Sequence, residues 1–368
     1  MPSWQSCDLA KRKLKRVTNH AEGNGPPHQV NIPIHSQKSR WRRTIPGILI
    51  SLAALTLVFY FTDMRLLQST LSGANYGWLP LCVLLFLLSI SARAFAWRTL
   101  LRGKVGFTRL FFTINVGYLF NNIFPFRLGE VGRALLLNQT TGISFWEVAS
   151  TILMERAIDI LIVAGLILIS LPLTLAMVIP GQTLTWAAPL AYTTAALLLL
   201  ALISLYIIAR NRVRLEAWLD RMSVRWPWVG RLAHGRLNAF LDGLDVITDF
   251  RQFCLALFFM AMAWILALIE NYFNLMIFLS NPAWFMIVFA SGIASLGVAV
   301  PSSPGGIGVL EASYVGAFAL FGIKTAIALA FALLAHSLYY VVTTCLGVYG
   351  IMREGETLSH LYHKLIDR

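Results

Sequence analysis

Long apolar runs recur along this chain of 368 residues, and they limit its fold more than any other feature. A helix needs about 20 consecutive apolar residues to cross the hydrocarbon of a bilayer. Runs that reach or approach this length occupy 45–62, 78–97, 148–171, 186–209, 252–280 and 325–351. Charged residues make up only 13% of the chain, about half of their share in soluble proteins. The sequence therefore predicts an all-α, polytopic integral membrane protein, built as a helical bundle.

Three further apolar segments, 107–124, 284–300 and 309–323, are shorter than a full span. They flank two breaks that contain proline and glycine. The first break reads NNIFPFRLGEVGR at 121–133, and the second reads PSSPGGIGVLE at 301–311. Proline ends helices and glycine permits close helix approach, so both stretches are predicted to interrupt helices.

The distribution of lysine and arginine orients the segments, because cytoplasmic loops carry an excess of both. Basic residues are dense in four stretches, which are the segment before 45, 93–109, 210–251 and the segment after 352. They are sparse or absent in three others, which are 63–77, 172–209 and 281–283. Both termini are therefore expected in the cytoplasm, with 63–77 in an external loop. Arg93 and Trp97, near the end of their run, are interpreted as marks of a membrane interface.

This orientation gives the two breaks opposite topologies. Segment 110–147 must leave and return on the cytoplasmic face, whereas 284–324 must do so on the outer face. We therefore predict about six full spans and two inverted re-entrant hairpins, in repeat-like halves at 107–171 and 284–351. Eight ordinary spans have the same parity and are the alternative. Interrupted helices at matching places in inverted halves indicate a transport site near the membrane midplane.

The remaining segments are predicted to flank a membrane domain at 45–352. Residues 1–44 have the composition of a disordered, basic cytosolic tail, and 353–368 form a second cytosolic tail. The cytosolic loop 210–251 mixes arginine with tryptophan and leucine, as interfacial helices do. The net charge of +13 is attributed to membrane orientation and to contact with anionic lipid. No nucleic-acid partner is expected, because no nucleic-acid-binding fold accompanies the charge.

Polar groups inside apolar segments are the candidate substrate-binding residues, because such groups are costly there and commonly functional. In the first half they are Asn122, Arg127, Glu130, Arg133, Glu155, Arg156 and Asp159. Later in the chain they are Glu270, Glu311 and His336, and the second break adds Pro301, Pro304, Gly305, Gly306 and Gly308 as further candidates. Irregular backbone survives in a membrane only where it is buried or lines a wet cavity, so both breaks are expected to face a central cavity.

Each charged candidate in the first half has a functional and a structural interpretation. Arg127 and Arg133 either meet a phosphate or mark the cytoplasmic interface. Glu130 either meets a substrate amine or pairs with these arginines. Glu155 and Arg156 either contact substrate or form a structural network that ties their span to the first hairpin.

The second half offers similar alternatives. Glu311 begins a helix, where an acid also favours the helix dipole. His336 shares a helix face with Tyr339 or Tyr340, and a lone histidine is commonly a hydrogen-bonded packing residue. No catalytic, nucleotide-binding or metal-binding signature is recognised, so no cofactor, metal or catalytic residue is predicted.

Together these motifs resemble the membrane region of the lysylphosphatidylglycerol synthase family, a flippase-like domain also found alone in small prokaryotic membrane proteins. The resemblance rests on PFRLGEVGR at 125–133, ERAID at 155–159 and PSSPGGIGVLE at 301–311, in the same order and spacing. It covers most of 45–352, and its motifs include the arginines, carboxylates, prolines and glycines named above. His336 departs from the family pattern, in which arginine is common at this position.

The resemblance implies a plasma-membrane protein that binds phospholipid or modified phospholipid and translocates it between leaflets. In the full-length synthases a separate soluble domain transfers the amino acid. This sequence shows no counterpart of that domain, so lysyl transfer is not expected. The alternative is a membrane enzyme or accessory subunit for glycolipid, aminoacyl-lipid or isoprenoid-lipid biosynthesis. The implied partners are an anionic or aminoacylated phospholipid, the membrane, and either a second copy of the chain or a lipid-biosynthesis enzyme.

Overall fold

The computed structural model describes residues 49–124, 128–178, 249–299 and 303–355, together with single positions between 189 and 221. All regular structure in these residues is helical, which confirms the all-α prediction. The α-helices are α1 (Leu49–Tyr60), α2 (Met64–Ser72), α3 (Leu79–Leu100), α4 (Phe107–Ile123), α5 (Gly129–Thr141), α6 (Phe145–Val178), α7 (Phe250–Met276), α8 (Trp284–Ala299), α9 (Val309–Ala319) and α10 (Thr325–Arg353).

Four of these helices are long and apolar enough to cross a membrane. They are α3 with the 3₁₀ turn before it, α6, α7 and α10. Helices α1 and α2 reach this length only together, and the chain bends by 85° between them. The chain is therefore a multi-pass membrane protein. The tail at 1–44 lies outside the described residues, as do most of the predicted span at 186–209 and most of the loop at 210–251.

Helix α2 occupies the segment that was predicted to be an external loop. The Asp63 carboxylate caps it by accepting the backbone N–H groups of Arg65 and Leu66 at 2.9 and 3.1 Å. Leu67 is buried on its inner face, in a cluster with Ala326 and other residues of α10. This helix is only nine residues long, and so short a helix depends on its cap and its packing rather than on a long apolar run.

The two predicted breaks each join a pair of short helices that pack against each other. The first hairpin consists of α4 and α5, with 17 and 13 residues, and the second consists of α8 and α9, with 16 and 11 residues. All four are shorter than a full span. Close glycine contacts hold the first pair, because a Cβ atom on Gly129 would lie 2.0 Å from the carbonyl oxygen of Gly117.

The turn of the second hairpin packs against the first hairpin beside α10. The 3₁₀ turn Pro304–Gly306 of the second hairpin packs against α4, and α10 packs against both α4 and α9. Gly305 and Gly308 have φ angles of +67° and +88°, which only glycine adopts without strain. A Cβ atom on Gly305 would also lie 1.5 Å from the hydroxyl oxygen of Tyr340. Glycine is therefore required at this position for both conformation and space.

Cysteine labelling tests whether the hairpins enter the membrane from opposite faces. Gly129 and Gly305 have no room for a side chain, so the probes belong at Val131 and Ile307, which are 41% and 42% exposed beside the two breaks. In a cysteine-free background, we expect an impermeant thiol reagent to modify Val131→Cys and Ile307→Cys from opposite sides of sealed vesicles. Modification of both from the same side would contradict the inverted arrangement.

Candidate functional site

A buried carboxylate on α6 binds three arginine side chains. Glu155 has no exposed surface. Its Oε1 atom accepts hydrogen bonds from Arg93 on α3 at 2.9 Å and from Arg156 at 3.2 Å. Its Oε2 atom accepts one from Arg133 on α5 at 2.9 Å. Both carboxylate oxygens are therefore paired with cations, which a buried charge requires.

Asp159 extends this network by one helical turn. Both of its oxygens accept hydrogen bonds from Arg93, at 2.9 and 3.1 Å, in a bidentate pair. The indole N–H of Trp264 on α7 donates to Oδ1 at 2.9 Å, and Arg156 lies 3.3 Å from Oδ2. Three guanidinium groups thus face two carboxylates, which leaves one net positive charge on this cluster.

The structure buries three residues that the sequence pattern associates with a membrane interface. The Arg93 side chain is 14% exposed, and Trp97 is fully buried, with its N–H donating to Thr151. Arg133 is 2% exposed, and its guanidinium carbon lies 4.7 Å from the Trp97 ring centroid. A charged residue within an apolar run requires a partner, and the carboxylates of the ERAID motif are such partners.

A second polar cluster fixes the turn of the second hairpin. Glu311 on α9 is 3% exposed, and its Oε2 atom accepts the N–H of Gly308 at 2.6 Å. Its Oε1 atom lies 2.6 Å from Nδ1 of His336, whose Nε2 lies 3.2 Å from the carbonyl oxygen of Gly305. The imidazole of His336 thus links the Glu311 carboxylate to the backbone of the turn. Tyr340 donates to the carbonyl oxygen of Pro304 at 3.3 Å.

A cavity of about 450 Å³ lies between the two hairpins and is bounded by residues of both clusters. The predicted residues that line it are Asn122, Glu130, Arg156, Asp159, Gly305, Gly306 and His336. Five other predicted residues do not line the cavity but are linked to its lining by hydrogen bonds or by their position in the chain: Arg133, Glu155, Pro304, Gly308 and Glu311. Glu270 lies apart and bonds Asn274 on its own helix. Arg127 and Pro301 lie outside the described residues.

Part of the cavity lining is apolar and exposed. Ile160 on α6 and Leu296 on α8 both line the cavity, and each is 52% exposed. The two helices touch farther along, where a Cβ atom on Gly292 would lie 2.6 Å from Ile167. The cavity therefore has an exposed apolar edge where α6 and α8 contribute to its lining.

The fold and the site define a class of protein: a multi-pass helical membrane protein with a polar cavity between two helical hairpins. The family model described as the lysylphosphatidylglycerol synthase transmembrane region matches residues 45–347. The chain belongs to this family, which confirms the resemblance seen in the sequence.

Several curated proteins are similar to the chain over most of its length. Glycosyltransferase AglD of Haloferax volcanii is 26% identical, over 86% of this chain and 55% of that protein. UPF0104 membrane proteins of Methanothermobacter thermautotrophicus and Pyrococcus horikoshii are 22% and 20% identical, over 86% and 84% of this chain and over 95% and 97% of their own lengths. The chain thus spans about half of AglD but nearly all of the UPF0104 proteins. No solved structure matches the chain with significance.

The buried network can be tested by the substitution Glu155→Gln. Removing this charge leaves the buried Arg133 without its anion, so we expect a loss of about 3 kcal/mol or more in the free energy of unfolding. Glu147→Gln on the same helix is the matched control, because its partner Lys104 is 48% exposed and such pairs contribute at most about 1 kcal/mol. Reversible unfolding of the purified protein in detergent measures both. Equal losses would contradict the structural importance of Glu155.

Proposed function

We propose that the protein binds a phospholipid or modified phospholipid and translocates it between leaflets of the plasma membrane. The observation that supports this most directly is the lining of the cavity, which combines charged side chains with the exposed apolar side chains of Ile160 and Leu296. We propose that the cavity opens sideways to the bilayer at these two residues. A lipid needs both features, because its head group is polar and its acyl chains are apolar. In this proposal the head group occupies the cavity while the chains stay in the bilayer.

A polar cavity lowers the main barrier to lipid translocation. Moving a charged head group through hydrocarbon is costly, since its hydration is lost without compensation. Arg156 lines the cavity with a side chain that is 33% exposed, and guanidinium groups bind phosphate well. A phosphate at Arg156 would keep a polar partner during the movement. Arg127 stays a predicted second contact for the phosphate.

The proposed orientation follows from the distribution of charge. Both termini are placed in the cytoplasm, and the hairpin of α4 and α5 re-enters from the cytoplasmic side. The hairpin of α8 and α9 re-enters from the outer side. Inverted, interrupted helices that meet at a polar cavity are typical of transport sites reached alternately from either face.

A role in glycolipid synthesis is the second candidate function, and the similarity to glycosyltransferase AglD favours it. That similarity covers only 55% of AglD, so the chain would act here as an accessory subunit or as one part of an enzyme. The two functions predict different lipid changes in cells that lack the protein. Loss of a product lipid would support synthesis, whereas an unchanged lipid composition with an altered leaflet distribution would support translocation.

Translocation can be tested by narrowing the sideways opening. We expect Ile160→Trp to slow the movement of a fluorescent phospholipid in proteoliposomes at least about tenfold, a change of about 1.4 kcal/mol in the barrier, because the indole would obstruct the path of the chains. Ile169→Trp is the control, since Ile169 is on the same helix, is 64% exposed and does not line the cavity. Leaflet distribution is read by chemical quenching of the outer label.

Two results of this experiment would contradict the proposal. Wild-type protein that moves lipid no faster than empty liposomes would overturn translocation itself. Equal rates for wild type and Ile160→Trp would overturn the route between α6 and α8.

A further inference from the structure

The hydrogen bonds around the cavity leave one described carboxylate available to a ligand. Every oxygen of Glu155, Asp159 and Glu311 is already bonded to an arginine, an indole, a histidine or a backbone N–H. Glu130 differs, because its buried Oε2 atom has no hydrogen-bond partner among the residues that the structure describes. Of these four acids, Glu130 is therefore the one that has an unpaired acceptor atom, and it also lines the cavity.

A second unpaired acceptor lines the same cavity, on Asn122. This side chain is only 7% exposed, and its Nδ2 group donates to the hydroxyl oxygen of Thr343 at 3.1 Å. The Thr343 hydroxyl donates its proton to the carbonyl oxygen of Tyr339 at 2.7 Å, so its oxygen can only accept from Asn122. These two hydrogen bonds therefore require that Nδ2, and not Oδ1, of Asn122 faces Thr343. Oδ1 of Asn122 then points away from Thr343 and lacks a partner within the described part of the chain.

On the α6 side of the cavity, a hydrogen-bond donor lacks an acceptor. The buried Nε–H of Arg156 has no acceptor among the described residues, and the arginine cluster around it carries one net positive charge. A buried polar group without a partner costs about 1–3 kcal/mol. The cavity thus has an unpaired donor next to excess positive charge, and two unpaired acceptors, one of them an acid.

We propose that the cavity recognises a zwitterionic phospholipid head group that carries a primary ammonium. The ammonium donates N–H groups to Glu130 and Asn122, and the phosphate accepts from Arg156. An ammonium has three N–H donors and can serve both oxygens at once, whereas a quaternary amine has the same charge and no donor. This inference rests on the proposed function and specifies its substrate class. A free monovalent cation could bind the same two oxygens, so the test must distinguish a lipid ammonium from a free cation.

The experiment compares phospholipid head groups that differ in their number of N–H donors. The purified full-length protein in detergent is titrated with short-chain phosphatidylethanolamine, its N-methyl and N,N-dimethyl derivatives, phosphatidylcholine and phosphatidylglycerol. We expect affinity to fall with each methyl group, and phosphatidylethanolamine to bind about tenfold or more tightly than phosphatidylcholine, as for the loss of hydrogen bonds to a charged group. Phosphatidylglycerol, which lacks the ammonium, should bind as weakly as phosphatidylcholine.

Two variants test whether Glu130 and Asn122 cause the preference for a primary amine. Glu130→Gln keeps the shape of the side chain and removes its charge, and Asn122→Leu removes the second acceptor. Both should abolish most of the preference for the primary amine, while Glu147→Gln, away from the cavity, should retain it. The preference of the wild-type protein along the methylation series stays decisive even where a variant fails to fold.

The other outcomes overturn the inference in distinguishable ways. Equal affinity for all the phospholipids would refute head-group recognition and leave lipid translocation standing. No binding of any phospholipid would refute both. Equal affinities combined with saturable binding of Na⁺, measured against N-methylglucamine, would assign the two oxygens to a free cation instead.

Discussion

The Glu155 carboxylate, buried without any exposed surface, organises much of the described structure. Because no water reaches it, its charge must be balanced by protein groups, and the arginines that do so come from α3, α5 and α6. These helices are consequently fixed relative to one another by charge as well as by apolar packing. Asp159 and Trp264 extend the same constraint to α7.

The two hairpins are held by different chemistry although they meet at one cavity. The first is tied to its neighbours by a network of permanent charges centred on Glu155. The second is held by glycines with positive φ angles and by the bridge from Glu311 through His336 to the backbone of Gly305. The likeness of the two halves therefore extends to their helical arrangement but not to the forces that stabilise them.

Sequence patterns predicted the helices well where apolar runs were long, as at 78–97 and 325–351, because length and composition determine a span. They failed at α2, whose nine residues depend on the Asp63 cap. They also did not pair Arg93 with Glu155 and Asp159, because this contact joins residues of two helices that lie far apart in the sequence. Motifs identified the residues near the cavity, but they could not show which carboxylate is left unpaired. That depends on the positions of individual oxygen atoms.

Part of the cavity wall is backbone, at Gly305 and Gly306. A surface made of peptide groups presents the same carbonyl and N–H groups whatever the neighbouring side chains are. Substitutions elsewhere around the cavity can thus change which ligand is preferred without rebuilding this wall. The glycines themselves have no such freedom, because Gly305 touches Tyr340. The backbone at Gly305 and Gly306 is therefore a fixed part of the cavity wall, whereas the side chains around it can change. New ligand selectivity can arise from those side chains at little risk to folding.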